Sequence, residues 1–395
     1  MRHFGSLTAA DAAALFEHLP REFHRDSGGD LLSVALGATL YMPGDRPALA
    51  ADIAKQAAAG VTSVVVCLED AIADDRVDDA EANIVASLGE LHRESTADGR
   101  DPAAPGLPLV FVRVREPDQI PMLVDRLGPA VAVLDGFVLP KFTAASGTPF
   151  LTALDEAERR CGCRLWAMPV IESGAVLYAE SRVDELARLR ALLHRDRHRV
   201  LAVRLGATDL CALYGLRRTA DFSIYDVKVV ADLIADVVNV LGRADGTGFT
   251  VTGPVWEYYG HAERLFKPQL RRTPFEEHDE SELRGNLVSR AIDGLIREVQ
   301  LDRANGLQGK TSIHPSHVAI VNALSVVTSE EYHDALDVAG ADRPGGVMAS
   351  GSGVRMNEIR PHAAWARRTL LRAAVFGVSA PGVSVVDLLA SSLSR

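Results

Sequence analysis

Short apolar runs alternate with longer helical patterns along most of the chain, and this alternation constrains the fold more than any other feature. The runs are rich in β-branched residues and cover 33–42, 63–68, 109–114, 131–139, 165–171, 199–205, 249–253 and 310–313. Between them lie segments such as 226–241, in which Val230, Ile234, Val237 and Leu241 recur with helical spacing. Such alternation is typical of βαβ units around a parallel sheet.

The number of runs predicts a (β/α)8 barrel, an architecture that takes about 250 residues before insertions. The chain has 395 residues, of which 47% are hydrophobic, and can therefore bury a core of that size. A doubly wound open sheet is the alternative, but no GxGxxG follows the first run. We predict three regions: an N-terminal extension at 1–30, the barrel at 31–330, and a C-terminal helical segment or lid at 331–395. Smaller predicted features are a loop at 94–108, a helix at 287–299 and a link at 345–353.

Composition excludes several classes of protein. The formal net charge of −11 argues against binding to nucleic acid or to an anionic membrane surface. The four cysteines form no CxxC pair, so we interpret Cys161 and Cys163 as partly buried thiols near a helix end. So few cysteines, no signal-peptide pattern and no apolar run of about 18 residues predict a soluble, cytoplasmic protein.

Two carboxylates follow neighbouring predicted strands. Glu172 ends the fifth strand and Asp209 follows the sixth. In α/β barrels the catalytic groups lie where strands end, so these side chains should meet at one rim. A pair of carboxylates suits Mg²⁺ or Mn²⁺, which prefer oxygen ligands and retain several waters. The alternative for Asp209 is capping of the helix that follows it.

An arginine at the end of the third strand is a candidate substrate-binding group. Arg113 follows the apolar run Leu-Val-Phe-Val, where a charged side chain is costly unless it is paired. It could clamp a substrate carboxylate or form an ion pair with Glu69, Asp70 or Glu172. Glu69 and Asp70 end the second strand and are candidates for proton transfer.

Other polar groups at the same rim are candidates for substrate contacts. They are Pro43 after the first strand, Arg115 after the third, Lys141 after the fourth and His314 after the eighth. Lys141 could instead neutralise the acidic rim, and His314 could be a base or a structural hydrogen-bonding group.

Six segments, in order along the chain, resemble the citrate lyase β-subunit-like proteins of the HpcH/HpaI aldolase superfamily. They are LYMPGDRP at 40–47, CLEDA at 67–71, GFVLPK at 136–141, PVIES at 169–173, LGATDL at 205–210 and GKTSIHP at 309–315. The resemblance implies a barrel enzyme, trimeric or hexameric, that holds Mg²⁺ through Glu172 and Asp209. It also implies that Arg113 binds a small carboxylate or an acyl thioester of CoA or carrier protein.

The resemblance extends loosely to the C-terminal segment. Glu358 falls where the family has an acidic residue, which would be a catalytic carboxylate folded over a site of its own or of a neighbouring copy. Departures from the family pattern at Arg115, Ser173 and Thr208 resemble the divergent branch of lyases associated with tellurium-resistance and stress operons.

The resulting hypothesis is a Mg²⁺-dependent carbon–carbon bond lyase that works through a metal-stabilised enolate. Asp70, Glu69 or Glu358 would move the proton of the substrate hydroxyl. One alternative is a malate-synthase-like condensation followed by thioester hydrolysis. Another is a non-catalytic metal-binding subunit of a stress-response biosynthetic complex.

Overall fold

The computed structural model describes residues 1–97, 106–259, 292–341, 345–351, 353 and 355–393. Its centre is a parallel sheet of seven strands in the order β7-β6-β5-β4-β3-β2-β8. The strands of this sheet are β2 (Ala38–Pro43), β3 (Ser63–Cys67), β4 (Leu109–Arg113), β5 (Gly136–Leu139), β6 (Trp166–Ile171), β7 (Arg204–Leu205) and β8 (Lys310–Ser312). Four short strands lie outside it, namely β1 (Phe16–His18), β9 (Val347–Ala349), β10 (Met356–Glu358) and β11 (Val378–Ser379).

The predicted seventh run, 249–253, closes the ring without forming a continuous strand. Val251 bridges to Val203 beside β7, and Gly253 bridges to Lys310 of β8, both in parallel. The predicted TIM barrel is therefore confirmed. Three predicted strands begin too early. Residues 33–35 belong to a helix, residues 131–133 belong to the 3-10 helix Gly128–Val133, and β7 contains only the last two residues of the run 199–205.

Helices connect the strands and surround the sheet. They are α1 (Ala9–Leu15), α2 (Gly29–Ala35), α3 (Leu49–Ala58), α4 (Val77–Thr96), α5 (Gln119–Leu127), α6 (Ala144–Cys161), α7 (Gly174–Leu177), α8 (Ala179–Arg195), α9 (Ala207–Ala212), α10 (Lys228–Leu241), α11 (Ile292–Ala304), α12 (Ser316–Ser325), α13 (Ser329–Ala339), α14 (Ile359–Phe376) and α15 (Val385–Leu393). The periodicity at 226–241 is confirmed by α10, which buries Val230, Ile234 and Val237 on one face. The features predicted at 94–108, 287–299 and 345–353 lie partly outside the described residues.

Both termini pack on the barrel. Strand β1 pairs with β11, and Leu15 and Phe376 belong to the same hydrophobic core as the barrel strands. The division at residues 30 and 330 stays a prediction, although the core is continuous across both positions. Every residue of β3 is buried, as expected for a parallel strand covered on two faces. In the described part of the chain, no helix has the length and apolar character needed to span a membrane.

The two thiols predicted near a helix end are found there. Cys161 is the last residue of α6, and both Cys161 and Cys163 are half-buried and free. Gly162 between them has a φ of 68°, the left-handed conformation that glycine adopts without steric cost.

A buried histidine links the N-terminus to the core and predicts sensitivity to acid. His3 Nε2 lies 3.0 Å from the carbonyl oxygen of Ala35, and its ring centre lies 4.4 Å from that of Phe376. Burial lowers the pKa of His3 to about 4. The unfolded chain binds this proton near pH 6.5 and the folded chain only near pH 4, so stability falls as pH drops through that window.

We expect the titration of His3 to lower the free energy of unfolding by about 2 kcal/mol when the pH falls from 8 to 5. Denaturant titrations at both pH values measure the loss. His3→Gln keeps a hydrogen-bond donor but cannot be protonated. Its free energy of unfolding should therefore fall by about 2 kcal/mol less than that of the wild type on acidification. The exposed His24→Gln variant should behave as the wild type does. Equal pH dependence in His3→Gln and the wild type would contradict the assignment.

Candidate functional site

The carboxyl ends of the barrel strands surround a cavity of about 500 Å³. Its charged lining consists of Asp70, Arg113, Glu172, Arg204, Asp209 and Glu257. Four of the predicted site residues therefore meet in one place, because parallel strands deliver their ends to the same side of a barrel. Four carboxylates and two guanidinium groups give this lining a formal charge of −2, which a divalent cation would balance.

Arg113 contacts three carboxylates through the same Nη2 atom. The distances are 2.5 Å to Glu69, 3.1 Å to Asp70 and 3.2 Å to Glu172. Arg113 therefore forms the ion pairs that were the alternative to a substrate contact. These ion pairs hold its guanidinium group at the cavity wall. Burial works against the charge of Arg113, but the surrounding carboxylates, Glu172 foremost, raise its pKa above the ordinary value. The group therefore stays charged and available to an anionic ligand.

Glu172 is the most buried acid of the cavity, with 3% of its surface exposed. The backbone N–H of Lys141 donates a hydrogen bond of 2.7 Å to its Oε1. Lys141 adopts a φ of +46°, an uncommon conformation for a residue with a side chain, and this directs the N–H at Glu172. Burial raises the pKa of Glu172 to about 7; Arg113 opposes this shift and Asp209 adds to it.

Asp209 lies directly beside Glu172. The two carboxyl groups share a hydrogen bond, and burial together with the Asp70 charge raises the pKa of Asp209. Gly206 occupies the N-cap of α9 and no side chain caps that helix, so the capping interpretation of Asp209 is wrong. Two buried carboxylates held against each other repel when both are ionised, and a cation between them would remove that repulsion.

The donor set fits a hard divalent cation. Among the described residues, no group of three or more His, Cys, Asp or Glu side chains is arranged to hold a metal. Glu172 and Asp209 would supply two oxygen ligands and leave the other positions to water or substrate. Mg²⁺ is commonly bound in this way, through one or two carboxylates. The described residues that line the cavity include no cysteine or histidine, the usual ligands of zinc, so their oxygen donors suit Mg²⁺ better.

Glu69 and Asp70 differ in environment although they are adjacent. Glu69 is buried and bound by Arg113 and by the Lys141 ammonium, and burial raises its pKa. Burial opposes ionisation of Asp70 too, yet hydrogen bonding with Glu69 and the charge of Arg113 lower its pKa. Asp70 is half exposed and lines the cavity, whereas Glu69 does not line it. Asp70 is therefore the accessible carboxylate of the two.

The other predicted contacts do not line this cavity in the described structure. Arg115 donates to the carbonyl oxygens of Leu68, Glu69 and Ile72, which fixes the loop after β3. His314 accepts or donates a 2.7 Å hydrogen bond with Ser316 and stacks on Tyr259.

Of the remaining three predicted residues, Lys141 contacts two acids at the rim, whereas Glu358 has no contact with the cavity lining in the described structure. Pro43 ends β2, and the Lys141 side chain contacts Glu69 and Asp70 at the rim. Glu358 is exposed at the N-cap of α14, where its N–H bonds to His362.

Arg204 is a cavity residue that the sequence did not single out. It is fully buried on β7, donates a 2.7 Å hydrogen bond to Thr311, and lies over the ring of Tyr41. An arginine inside the apolar run 199–205 is the sequence feature that could have identified Arg204 as a site residue. Thr208 is also engaged, since its hydroxyl donates 2.7 Å to Glu257.

Gly206 allows Glu172 to occupy its position. A Cβ atom built on Gly206 would lie 1.9 Å from Glu172 Oε2, well inside the contact limit. We expect Gly206→Ala to displace this carboxylate and weaken Mg²⁺ binding by about 10- to 100-fold, as loss of a supporting interaction does. Calorimetric titration with Mg²⁺ measures the effect. Gly28→Ala, where an added Cβ meets nothing within 4 Å, is the control; equal affinities would refute the role of Gly206.

Comparison with solved structures identifies barrels of the same kind. The protein CitE from Mycobacterium tuberculosis, solved with magnesium, acetoacetate and coenzyme A, is 21% identical, with a TM-score of 0.51 over 86% of this chain and 99% of its own. A citrate lyase from Burkholderia xenovorans is 16% identical, with a TM-score of 0.60 over 89% and 96%. A malate synthase from Haloferax volcanii is 15% identical, with a TM-score of 0.51 over 78% and 77%.

These likenesses concern the fold. No curated protein sequence matches the chain significantly. The model of one protein family, described as a C–C bond lyase of the TIM-barrel fold, matches residues 30–378, which is most of the chain. The chain therefore belongs to the family of C–C bond lyases of the TIM-barrel fold.

Proposed function

We propose that the protein cleaves a carbon–carbon bond in a small carboxylate, or in its acyl thioester, with Mg²⁺ or Mn²⁺ as cofactor. The observation that carries this proposal is the Glu172–Asp209 pair in a cavity whose charged lining sums to −2. The family supplies the reaction class. The similar CitE from M. tuberculosis, solved with magnesium, acetoacetate and coenzyme A, supports the choice of metal and of substrate class.

Glu172 and Asp209 would hold the cation. When bound, it would polarise the substrate carbonyl and stabilise the negative charge that develops there during cleavage. The protein's own residues set the conditions for this: Gly206 leaves room for the Glu172 carboxylate, and the Lys141 N–H fixes its orientation. These constraints would keep the Glu172 ligand in place before the substrate arrives.

Arg113 would bind the substrate carboxylate. Its guanidinium already contacts carboxylates at the cavity wall, and Asp70, which is half exposed, can give way to an incoming anion. A planar guanidinium can bind a carboxylate through two hydrogen bonds and so fix its orientation. Arg204, Tyr41 and Thr311 line the same cavity, and Arg204 contacts both of the others.

Asp70 would accept the proton of the substrate hydroxyl. Its lowered pKa keeps it ionised, and it lines the cavity. As the hydroxyl proton passes to Asp70, the carbon–oxygen bond becomes a carbonyl and the carbon–carbon bond breaks. The bonding electrons then remain with the other fragment as an enolate, which is later protonated.

Glu358 cannot take part in catalysis from its position in the single chain. It is exposed and does not line the cavity of its own chain. A catalytic role for Glu358 would need a second copy of the chain, in keeping with the trimer or hexamer that the resemblance implies. Proton transfer by Asp70 needs no second copy, and we therefore favour it.

Calorimetry of Mg²⁺ binding, with and without oxaloacetate or pyruvate, tests the proposal. We expect the keto acid to tighten Mg²⁺ binding in the wild type. We expect the Asp209→Asn variant to lose Mg²⁺ binding. The exposed Asp221→Asn variant is the control and should bind normally. Absence of Mg²⁺ binding in the wild type would overturn the metal assignment. Product analysis then separates cleavage from malate-synthase-like condensation and thioester hydrolysis.

A further inference from the structure

A second cavity, of about 710 Å³, lies at the opposite end of the barrel. It is lined by residues 306–309, which lead into β8, and by Val34 of α2, which precedes β2. The acidic cavity is instead lined by residues that follow the strands, such as Asp70 and Asp209. The two cavities therefore open at different faces. The second is completed by α14, and its volume is in the range that binds small organic ligands.

Three arginines line this second cavity, in contrast to the acidic first one. Arg303 and Arg372 both contact the Glu331 carboxylate, at 3.2 Å and 2.6 Å. Arg368 has no acidic partner in the part of the chain that is described, and donates 2.7 Å to the carbonyl oxygen of Gly242. Three guanidinium groups thus face two carboxylates, Glu331 and Asp302, and Asp302 is already paired with Lys310, so the lining keeps a positive charge that attracts an anion. Arginine forks match phosphate and carboxylate oxygens well.

Two buried polar atoms in this cavity lack hydrogen-bond partners among the described residues. They are the Nε of Arg372, a donor, and the Oε1 of Gln308, an acceptor. The Arg372 side chain is only 14% exposed. A buried donor or acceptor without a partner destabilises the protein, and a ligand that pairs with it removes this cost. Such a ligand would need an anionic acceptor for Arg372 and a donor for Gln308.

A tryptophan provides an aromatic surface in the same cavity. Trp365 is half-buried and lines the cavity. It lies on α14 within one turn of Arg368, and the same helix carries Arg372. The two other tryptophans of the chain, Trp166 and Trp256, are buried in the barrel core. An indole beside guanidinium groups suits a ligand that has a planar ring as well as a charge.

We propose that this cavity is a nucleotide-binding site, separate from the acidic cavity. The phosphates contact Arg368 and Arg372, the base stacks on Trp365, and a ring or ribose donor bonds to the Gln308 side chain. A nucleotide combines the three required properties: negative charge, hydrogen-bond donors and a planar ring. Inorganic phosphate has the charge but no ring.

Titration of the full chain with ATP and AMP, followed by calorimetry and by tryptophan fluorescence, tests the site. We expect at least one nucleotide to bind and to quench the fluorescence, and Trp365→Phe to abolish the quenching. Arg368→Gln should weaken binding tenfold or more. Arg367→Gln is the matched control, because Arg367 is exposed, adjacent on α14 and outside the cavity lining. Its affinity should stay within twofold of the wild type.

Further titrations exclude the alternatives. Arg372→Lys retains a positive charge and should fold, yet should still weaken binding because the fork is lost. Binding should persist in Glu172→Gln and in the presence of saturating oxaloacetate, since the acidic cavity is at the other face. Competition by oxaloacetate, equal affinity in Arg367→Gln and Arg368→Gln, no binding of either nucleotide, or equally tight binding of inorganic phosphate would each overturn the proposal.

Discussion

Replacing Glu172 by Gln should lower kcat by about a thousandfold or more, a loss of ~4 kcal/mol of transition-state stabilisation. The substitution preserves the size of the side chain but removes one of the two charges that would hold the cation. It also leaves Arg113 with one carboxylate fewer at the cavity wall. Steady-state assays over a range of Mg²⁺ concentrations measure the effect. Raising Mg²⁺ should not restore the rate, because the missing ligand cannot be replaced.

Glu69→Gln is the matched comparison for this prediction. Glu69 is also buried and also contacts Arg113, but it does not line the cavity. Its replacement should loosen Arg113 and raise KM while lowering kcat by about tenfold at most, in the range of an orienting contact. Mg²⁺ dependence should remain. If Glu172→Gln retained Mg²⁺-dependent turnover near the wild-type rate, the assignment of this residue to the cation would be wrong.

The candidate site could be predicted from the sequence to the extent that it depends on strand polarity. Glu172 and Asp209 follow neighbouring strands, and parallel strands place such residues together whatever the details of packing. Arg204 could not be placed in this way. Whether its side chain points into the barrel or toward the helices depends on strand register, which reverses with a shift of one residue. The backbone N–H of Lys141 is likewise invisible in the sequence, because its direction follows from a positive φ.

For the fold, too, the sequence pattern predicts some features, whereas others depend on how the chain packs. Eight apolar runs predicted the barrel, but residues 33–35 are helical although they continue an apolar run. A short apolar segment suits a buried helix as well as a buried strand, and packing against its neighbours decides between them. Residues 249–253 were predicted as a strand and form only two bridges. The sequence therefore predicted the number and order of the elements better than their ends.

A buried charge network next to the barrel predicts a large effect on stability. Glu298 is fully buried on α11, and Lys310 donates to its Oε1 at 3.0 Å. Its Oε2 accepts hydrogen bonds from Arg218 at 2.5 Å and from the N–H of Ile224 at 2.7 Å. Lys310 also contacts Asp302 at 2.7 Å. Two cations and two carboxylates thus balance each other's charge, and all four side chains are buried.

Glu298→Gln should destabilise the protein by about 3–5 kcal/mol, because Arg218 would keep only its 4.0 Å contact with Glu257 and Lys310 only its contact with Asp302. Denaturant unfolding at neutral pH measures the loss. Glu330→Gln, at a partly exposed position on α13, should change stability by about 0.5 kcal/mol or less. Combining Glu298→Met with Lys310→Met removes one charge of each sign and should recover part of the loss. A double variant that is less stable than Glu298→Gln would show that hydrogen-bond geometry, and not charge balance, dominates here.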